Sequence, residues 1–152
     1  PKGRFERVPS SLPFKVFIDY AHTPDGLDNV LRTARELTAG KLIVVFGAGG
    51  NRDTTNRPLM GKVADYWADT IIITNDNPRL EIPSTIIKNI EAGIHDHKPI
   101  LIEDRRQAIQ TAIGLAKAGD VIVVAGKGHE TYQIIGTETL PFDDFDVARS
   151  FL

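Results

Sequence analysis

Short apolar runs alternate along the chain with stretches in which apolar residues recur every three or four positions. The runs KVFIDYA (15–21), KLIVVFG (41–47), TIIIT (70–74), PILIE (99–103) and VIVVAG (121–126) are short and rich in β-branched residues, which predicts five strands. KLIVVFG scarcely alternates, as expected of a strand covered on both faces. Between the runs lie helical patterns. In TPDGLDNVLRTARELT (23–38), Leu27, Val30, Leu31, Ala34 and Leu37 fall on one helix face. Thr23 suits the N-cap, Pro24 the first helical position, and Asp25 the positive end of the helix dipole. RPLMGKVADYWA (57–68), PSTIIKNIEAGI (83–94) and DRRQAIQTAIGLAK (104–117) predict further helices; Pro58 and Pro83 lie near the starts of the first two, and Asp104 caps the third. TYQIIGTETLPF (131–142) reads as a hairpin about Gly136, and DDFDVARSFL (143–152) as a last helix.

This order predicts a Rossmann-like, doubly wound α/β fold, with a mostly parallel sheet and helices on both faces. The hairpin is expected to add an antiparallel edge. Sheets of this kind bind ligands beyond the carboxyl ends of their strands, so the informative residues are those that follow each strand.

Composition narrows the function classes. A chain of 152 residues is enough for one domain with a substantial core. A net charge of −2 is too small to draw in nucleic acid or an anionic membrane by bulk electrostatics, and no apolar run reaches membrane length. The absence of cysteine excludes disulfides and thiolate metal sites and fits a reducing compartment. The amino-terminal PKGRFERVPSSLPFK is polar, carries no signal-peptide apolar region, and reads as part of a larger protein.

The strand ends collect Asp19, Tyr20, Ala21, His22 and Thr23; then Gly47 to Asp53; then Asp76, Asn77, Pro78 and Arg79; then Gly126, Lys127, Gly128, His129 and Glu130. Each has an ordinary structural reading. His22 is a loop or capping residue, GAGG a turn, Asp76 a cap, and AGKGHE a tight turn with incidental charge. GAGG matches neither the P-loop pattern nor G-x-G-x-x-G, whose third glycine would fall at Arg52. Together they point further. Arg52 and Arg79 offer planar forks for carboxylate or phosphate, while Glu130 suits an ammonium; such a set fits a zwitterion such as a free amino acid.

In this order, DYAHTPDGL (19–27), VFGAGGNRD (45–53), RPLMG (57–61), DNPR (76–79) and AGKGHE (125–130) resemble the C-terminal domain of the Mur ligases. GRFE (3–6) resembles the start of that domain and PFDD (141–144) its last motif, so the likeness covers essentially the whole chain. The resemblance implies an ATP-dependent amide ligation in peptidoglycan precursor synthesis. It implies that residues 1–152 form one C-terminal domain, with the N-terminal and central ATPase domains outside it. DNPR matches the family signature for adding meso-diaminopimelate to a UDP-linked muramoyl dipeptide, UDP-N-acetylmuramoyl-L-alanyl-D-glutamate. On that likeness Arg79 grips the distal carboxylate, Asp76, Asn77 and Pro78 complete the signature, and Arg52, Gly126 and Glu130 line the amino-acid pocket. Arg4, Asp19, Tyr20 and His22 match positions that contact or organise ATP. No residue is implied as a covalent catalyst, and magnesium would be held mainly by the central domain.

The likeness has departures. Ala48 stands where relatives often have cysteine, Asn51 where they often have aspartate, and no lysine precedes Arg57-Pro58. No P-loop is present, so the chain alone is expected not to turn over ATP. A lysine-adding Mur ligase, folate polyglutamate and cyanophycin synthetases, and a stand-alone amino-acid or nucleotide-binding module are the alternatives.

Overall fold

The computed structural model describes every residue from Pro1 to Leu152. In chain order the elements are β1 (Glu6–Arg7), β2 (Lys15–Asp19), α1 (Pro24–Leu37), β3 (Leu42–Phe46), α2 (Asn56–Trp67), β4 (Thr70–Ile73) and α3 (Pro83–Glu91). These are followed by β5 (Ile100–Leu101), α4 (Arg105–Leu115), β6 (Val121–Ala125), β7 (Tyr132–Ile135), β8 (Glu138–Pro141) and α5 (Asp144–Ser150). Six strands form one sheet in the order β1-β2-β6-β3-β4-β5. All neighbours pair in parallel except β1, which runs antiparallel to β2.

Residue alternation along the strands splits the core into two layers. Val44 and Phe46 of β3, Ile71 and Ile73 of β4, and Val123 of β6 face Leu27 and Leu31 of α1, Met60 and Ala64 of α2, and Ile86 and Ile90 of α3. Ile43 and Val45, Ile72, and Ile122 and Val124 face Ala108, Ile109 and Ala112 of α4 and Val147 and Ala148 of α5. β3 and β6 are buried at every position, as their unbroken apolar runs require. No helix is long and apolar enough to cross a membrane.

The chain steps outward from β3 to β4 to β5 with α2 and α3 on one face. It then returns through α4 on the other face to place β6 between β2 and β3. The loops after β2, β6, β3 and β4 therefore emerge side by side. That reversal of strand order is where doubly wound sheets hold ligands.

Two elements differ from the sequence expectation. The antiparallel edge is β1, not the hairpin. The edge of β2 is already taken by the extended segment from Glu6, so β7 and β8 pair only with each other. The hairpin is fixed instead to the β4–α3 loop: Arg79 N donates to Ile134 O at 3.1 Å and Gly136 N to Arg79 O at 2.7 Å. Gln133 Nε2 adds a bond to Asp76 O at 2.8 Å. The fourth predicted strand shrinks to two residues because β5 lies at the sheet's far edge, where Leu101 is exposed. At the last turn of α1, Leu37 is exposed also, while Thr23 and Asp104 cap α1 and α4 through Gly26 N and Gln107 N.

Candidate functional site

The β3–α2 and β4–α3 loops are laced together. Gly50 N donates to Asn77 O at 2.8 Å, and Leu80 N to Asn51 Oδ1 at 3.1 Å. A Cβ at Gly50 would sit 1.8 Å from Pro78 O, so only glycine permits this approach. Arg79 adopts a left-handed backbone, φ 53°, which aims its side chain back at the glycine loop; Nη1 donates to Gly50 O at 3.0 Å. Beneath both loops lies Arg57, which is fully buried. It donates to both oxygens of Glu81, at 3.1 and 2.6 Å, to Asn89 Oδ1 at 3.1 Å and to Gly49 O at 3.1 Å. Glu81 Oε2 also accepts from Asn51 N at 2.6 Å. The bonds from Arg57, then that from Asn51, hold the Glu81 carboxyl below its ordinary pKa.

The β6 loop enters from the other side. Gly126 has φ 118° and Gly128 φ 55°, conformations that favour glycine at both positions flanking Lys127. A Cβ on Gly126 would lie 2.5 Å from Asp76 Oδ2. Lys127 is wholly buried: Nζ lies 3.0 Å from Asn77 Oδ1, 3.4 Å from Glu130 Oε1, 3.9 Å from Asp76 Oδ1 and 5.5 Å from the centre of the Tyr132 ring. Burial lowers the Lys127 pKa, and Asp76 opposes that shift. Further under the sheet edge, Arg105 and Asp144 form a fully buried pair at 2.8 Å. Arg105 also donates to Asn75 O at 2.9 Å and Ala125 O at 3.1 Å, joining the ends of β4 and β6. Burial opposes the Arg105 charge, but the attraction of Asp144 outweighs it and leaves the pKa raised.

After β2, His22 Nδ1 donates to Tyr20 O at 2.9 Å, and the two rings lie 4.6 Å apart, tilted by 59°. The His129 ring is 6.2 Å from that of Tyr20. These loops surround an open cavity of about 430 Å³.

Among the residues singled out in the sequence, Arg52, Asp76, Asn77, Arg79, Gly126, Glu130, Tyr20 and His22 all line this cavity. Pro78 does not; it packs under Gly50 and shapes the loop through its carbonyl. Asp19 is turned away and accepts from Phe5 N at 2.7 Å and Ala21 N at 2.8 Å, tying the amino-terminal segment to the β2 end. Arg4 is exposed outside the cavity. Arg57 and Lys127 went unassigned from sequence although they lie in RPLMG and AGKGHE, and Glu81, two residues after DNPR, went unassigned as well. Signals existed: an arginine at the positive end of a helix requires a counter-charge, and a lysine between glycines directly after an apolar strand lies at the buried end of the sheet. No group of three histidine, cysteine, aspartate or glutamate side chains is assembled to hold a metal ion.

The sequence profile of the family described as Mur ligase, glutamate ligase domain, matches residues 3–128. A UDP-N-acetylmuramoyl-L-alanyl-D-glutamate--2,6-diaminopimelate ligase of Caldanaerobacter subterraneus subsp. tengcongensis is 54% identical over 153 residues, 99% of this chain and 32% of that protein. The ligase of the same name from Aquifex aeolicus is 56% identical over 151 residues, 99% of this chain and 31% of that protein. A solved structure of a ligase with this name superposes with a TM-score of 0.93 at 42% identity, covering 99% of this chain and 31% of the other. A Mycobacterium tuberculosis folylpolyglutamate synthase complexed with ADP superposes with a TM-score of 0.65 at 25% identity, covering 83% of this chain and 30% of the other. The chain thus spans about a third of the length of the curated relatives it matches.

Proposed function

The chain belongs to the Mur ligase family through its glutamate ligase domain, and from that membership we propose that it is the amino-acid-holding domain of a ligase that joins meso-diaminopimelate to UDP-N-acetylmuramoyl-L-alanyl-D-glutamate with ATP as the phosphoryl donor. The observation that carries this reading is the fixed position of Arg79. Its backbone is locked between the hairpin and the DNPR turn, and Nη1 is tethered to Gly50 O. The guanidinium faces a cavity also lined by Arg52, with Asp76 and Glu130 supplying opposite charge. Meso-diaminopimelate carries a carboxylate and an ammonium at each end. Two guanidinium forks and two acids in one cavity match that pattern, whereas L-lysine lacks the distal carboxylate and would leave Arg79 without an anionic partner.

In this reading the chain's residues position the incoming amine for attack on an activated acyl group. Holding two reactants in line supplies much of the rate without a covalent role for the protein. The tilted Tyr20 and His22 rings at the cavity rim offer an aromatic surface for a nucleotide base. ATP binding by this chain rests on those rings, and the folylpolyglutamate synthase neighbour was solved with ADP. Magnesium has no assembled ligand set among these residues, and no step is assigned to it. The chain contains no P-loop, so alone it binds without turning over ATP. Substrates of this kind place the reaction in the cytoplasm.

Arg79→Ala in the ligase that carries this chain tests the reading. Loss of a charged hydrogen bond costs about 1.5–3 kcal/mol, roughly ten- to a hundredfold in kcat/KM for meso-diaminopimelate. The melting temperature should fall only modestly, because alanine tolerates the left-handed backbone no worse than arginine and the lost bond to Gly50 O lies outside both core layers. Equal losses for meso-diaminopimelate and L-lysine would refute the carboxylate clamp.

A further inference from the structure

The side-chain oxygen of Asn77 accepts two bonds, from Lys127 Nζ at 3.0 Å and from Ile134 N at 2.9 Å. Both partners are donors, so the atom they meet must be the oxygen; the amide nitrogen would oppose an ammonium and an N–H. The orientation of the amide therefore follows from chemistry and not from the shapes of its two ends. The nitrogen makes no bond to protein and is not sealed from solvent, and Asn77 lines the cavity beside Arg79. Asn77 thus presents a donor, and only a donor, to whatever occupies the cavity.

Lys127 has no exposure of its own and cannot be a direct ligand of the amino acid. Its ammonium lies under Asn77, with Asp76 and Glu130 as further neighbours. A buried lysine is costly unless such partners compensate its charge. Apolar or neutral side chains would have filled this space more cheaply, so a cation here needs a reason beyond packing.

We propose that Lys127 is a positioning residue for amino-acid selection: by holding the Asn77 oxygen from below, it turns the amide nitrogen toward the cavity as a donor reserved for a ligand carboxylate. This rests on the reading of the cavity as the amino-acid site. Asn77 and Arg79 then form one donor surface, which an oxygen anion satisfies and a bare methylene or ammonium does not. The selection is indirect, since the buried cation sets the polarity of a neutral amide that touches the ligand.

The test compares meso-diaminopimelate and L-lysine binding, by NMR titration, to the chain and to Asn77→Asp and Lys127→Met. Asn77→Asp keeps the Lys127 contact and strengthens it with a charge, so it should fold with an unchanged or raised melting temperature. It replaces the cavity-facing donor with an acceptor. The expected result is at least a tenfold loss for meso-diaminopimelate with L-lysine unchanged or tighter. Lys127→Met should narrow the preference between the two ligands in the same direction, which a purely structural lysine would not do. If Lys127→Met does not fold, Lys127→Gln, which keeps a polar group in the same space without the cation, takes its place. Undiminished preference for meso-diaminopimelate in Asn77→Asp, or in folded Lys127→Met, overturns the proposal while leaving the amino-acid site standing. An unsubstituted chain that binds neither ligand overturns the amino-acid reading and this proposal with it; one that binds both equally overturns the diacid selection and this proposal while leaving an amino-acid site.

Discussion

Arg57 makes sense only once its partners are counted. An arginine at the start of a helix meets the positive end of the dipole, an unfavourable place for a cation. Glu81, Asn89 and Gly49 O offset that and use its guanidinium to clamp the β3–α2 and β4–α3 loops. Arg57→Met should lower stability by about 1–3 kcal/mol, because it strips a partly buried carboxylate of its counter-charge. Denaturant unfolding measures this, and a loss of amino-acid affinity should accompany it as Arg79 loses its anchored platform. A variant as stable as the parent would show that the clamp is idle. At this scale the sequence was legible for Arg52, Asn77, Arg79 and Glu130, which line the cavity, but not for Asn56, Met60 or Tyr132, which line it too. It was least legible for residues that act from beneath, Arg57 and Lys127, whose partners come from distant segments. Asp19 lay between: its place at the β2 end was evident, but its oxygens serve Phe5 and Ala21.

Among the elements, the buried parallel strands and the capped helices could be read from pattern alone, since their periodicity and caps are local. The arrangement of β1 and the hairpin could not. Both have short, largely exposed strands whose pairing depends on which sheet edge is free. The hairpin's real attachment runs through Arg79, so the β4–α3 loop is held by an element outside the main sheet. The glycine turn after β3 is equally constrained. In Gly50→Ala the added Cβ would meet Pro78 O at 1.8 Å, and backbone cannot yield as a side-chain tip can. The two loops should part there, with about tenfold or greater loss of amino-acid affinity, the effect of roughly 1.4 kcal/mol. Because the clash lies outside both core layers, the cooperative unfolding transition should persist. Titration and thermal melting of that variant check both halves, and unchanged affinity would mean that the lacing is not required.

The whole molecule is a sheet covered on both faces, with a charged cavity at one edge. That much followed from the alternation of strand and helix, because a parallel sheet needs crossovers and ligands collect where they reverse. The charges that join its loops set its response to acid. Hydrogen bonds from Arg57 and Asn51 depress the Glu81 pKa. Burial pushes Asp65 and Asp69 up, but hydrogen bonds from His95, His97 and Asp96, and from Arg35 and Leu42, outweigh it and leave both lowered. Groups with folded pKa values below their unfolded ones add stability above the unfolded value and lose it as pH falls through the folded one. The chain should therefore lose stability progressively from the ordinary carboxylate range downward, and Glu81→Gln should flatten that decline. Denaturant midpoints across acidic pH measure it; an identical slope in Glu81→Gln would contradict the assignment. The central claim, that this sheet edge selects a diacid amino acid, is tested most directly by calorimetric titration of the chain with meso-diaminopimelate and L-lysine side by side. The account predicts that meso-diaminopimelate binds tighter by roughly tenfold or more, the worth of one charged hydrogen bond. Equal affinities, or a preference for L-lysine, would contradict it.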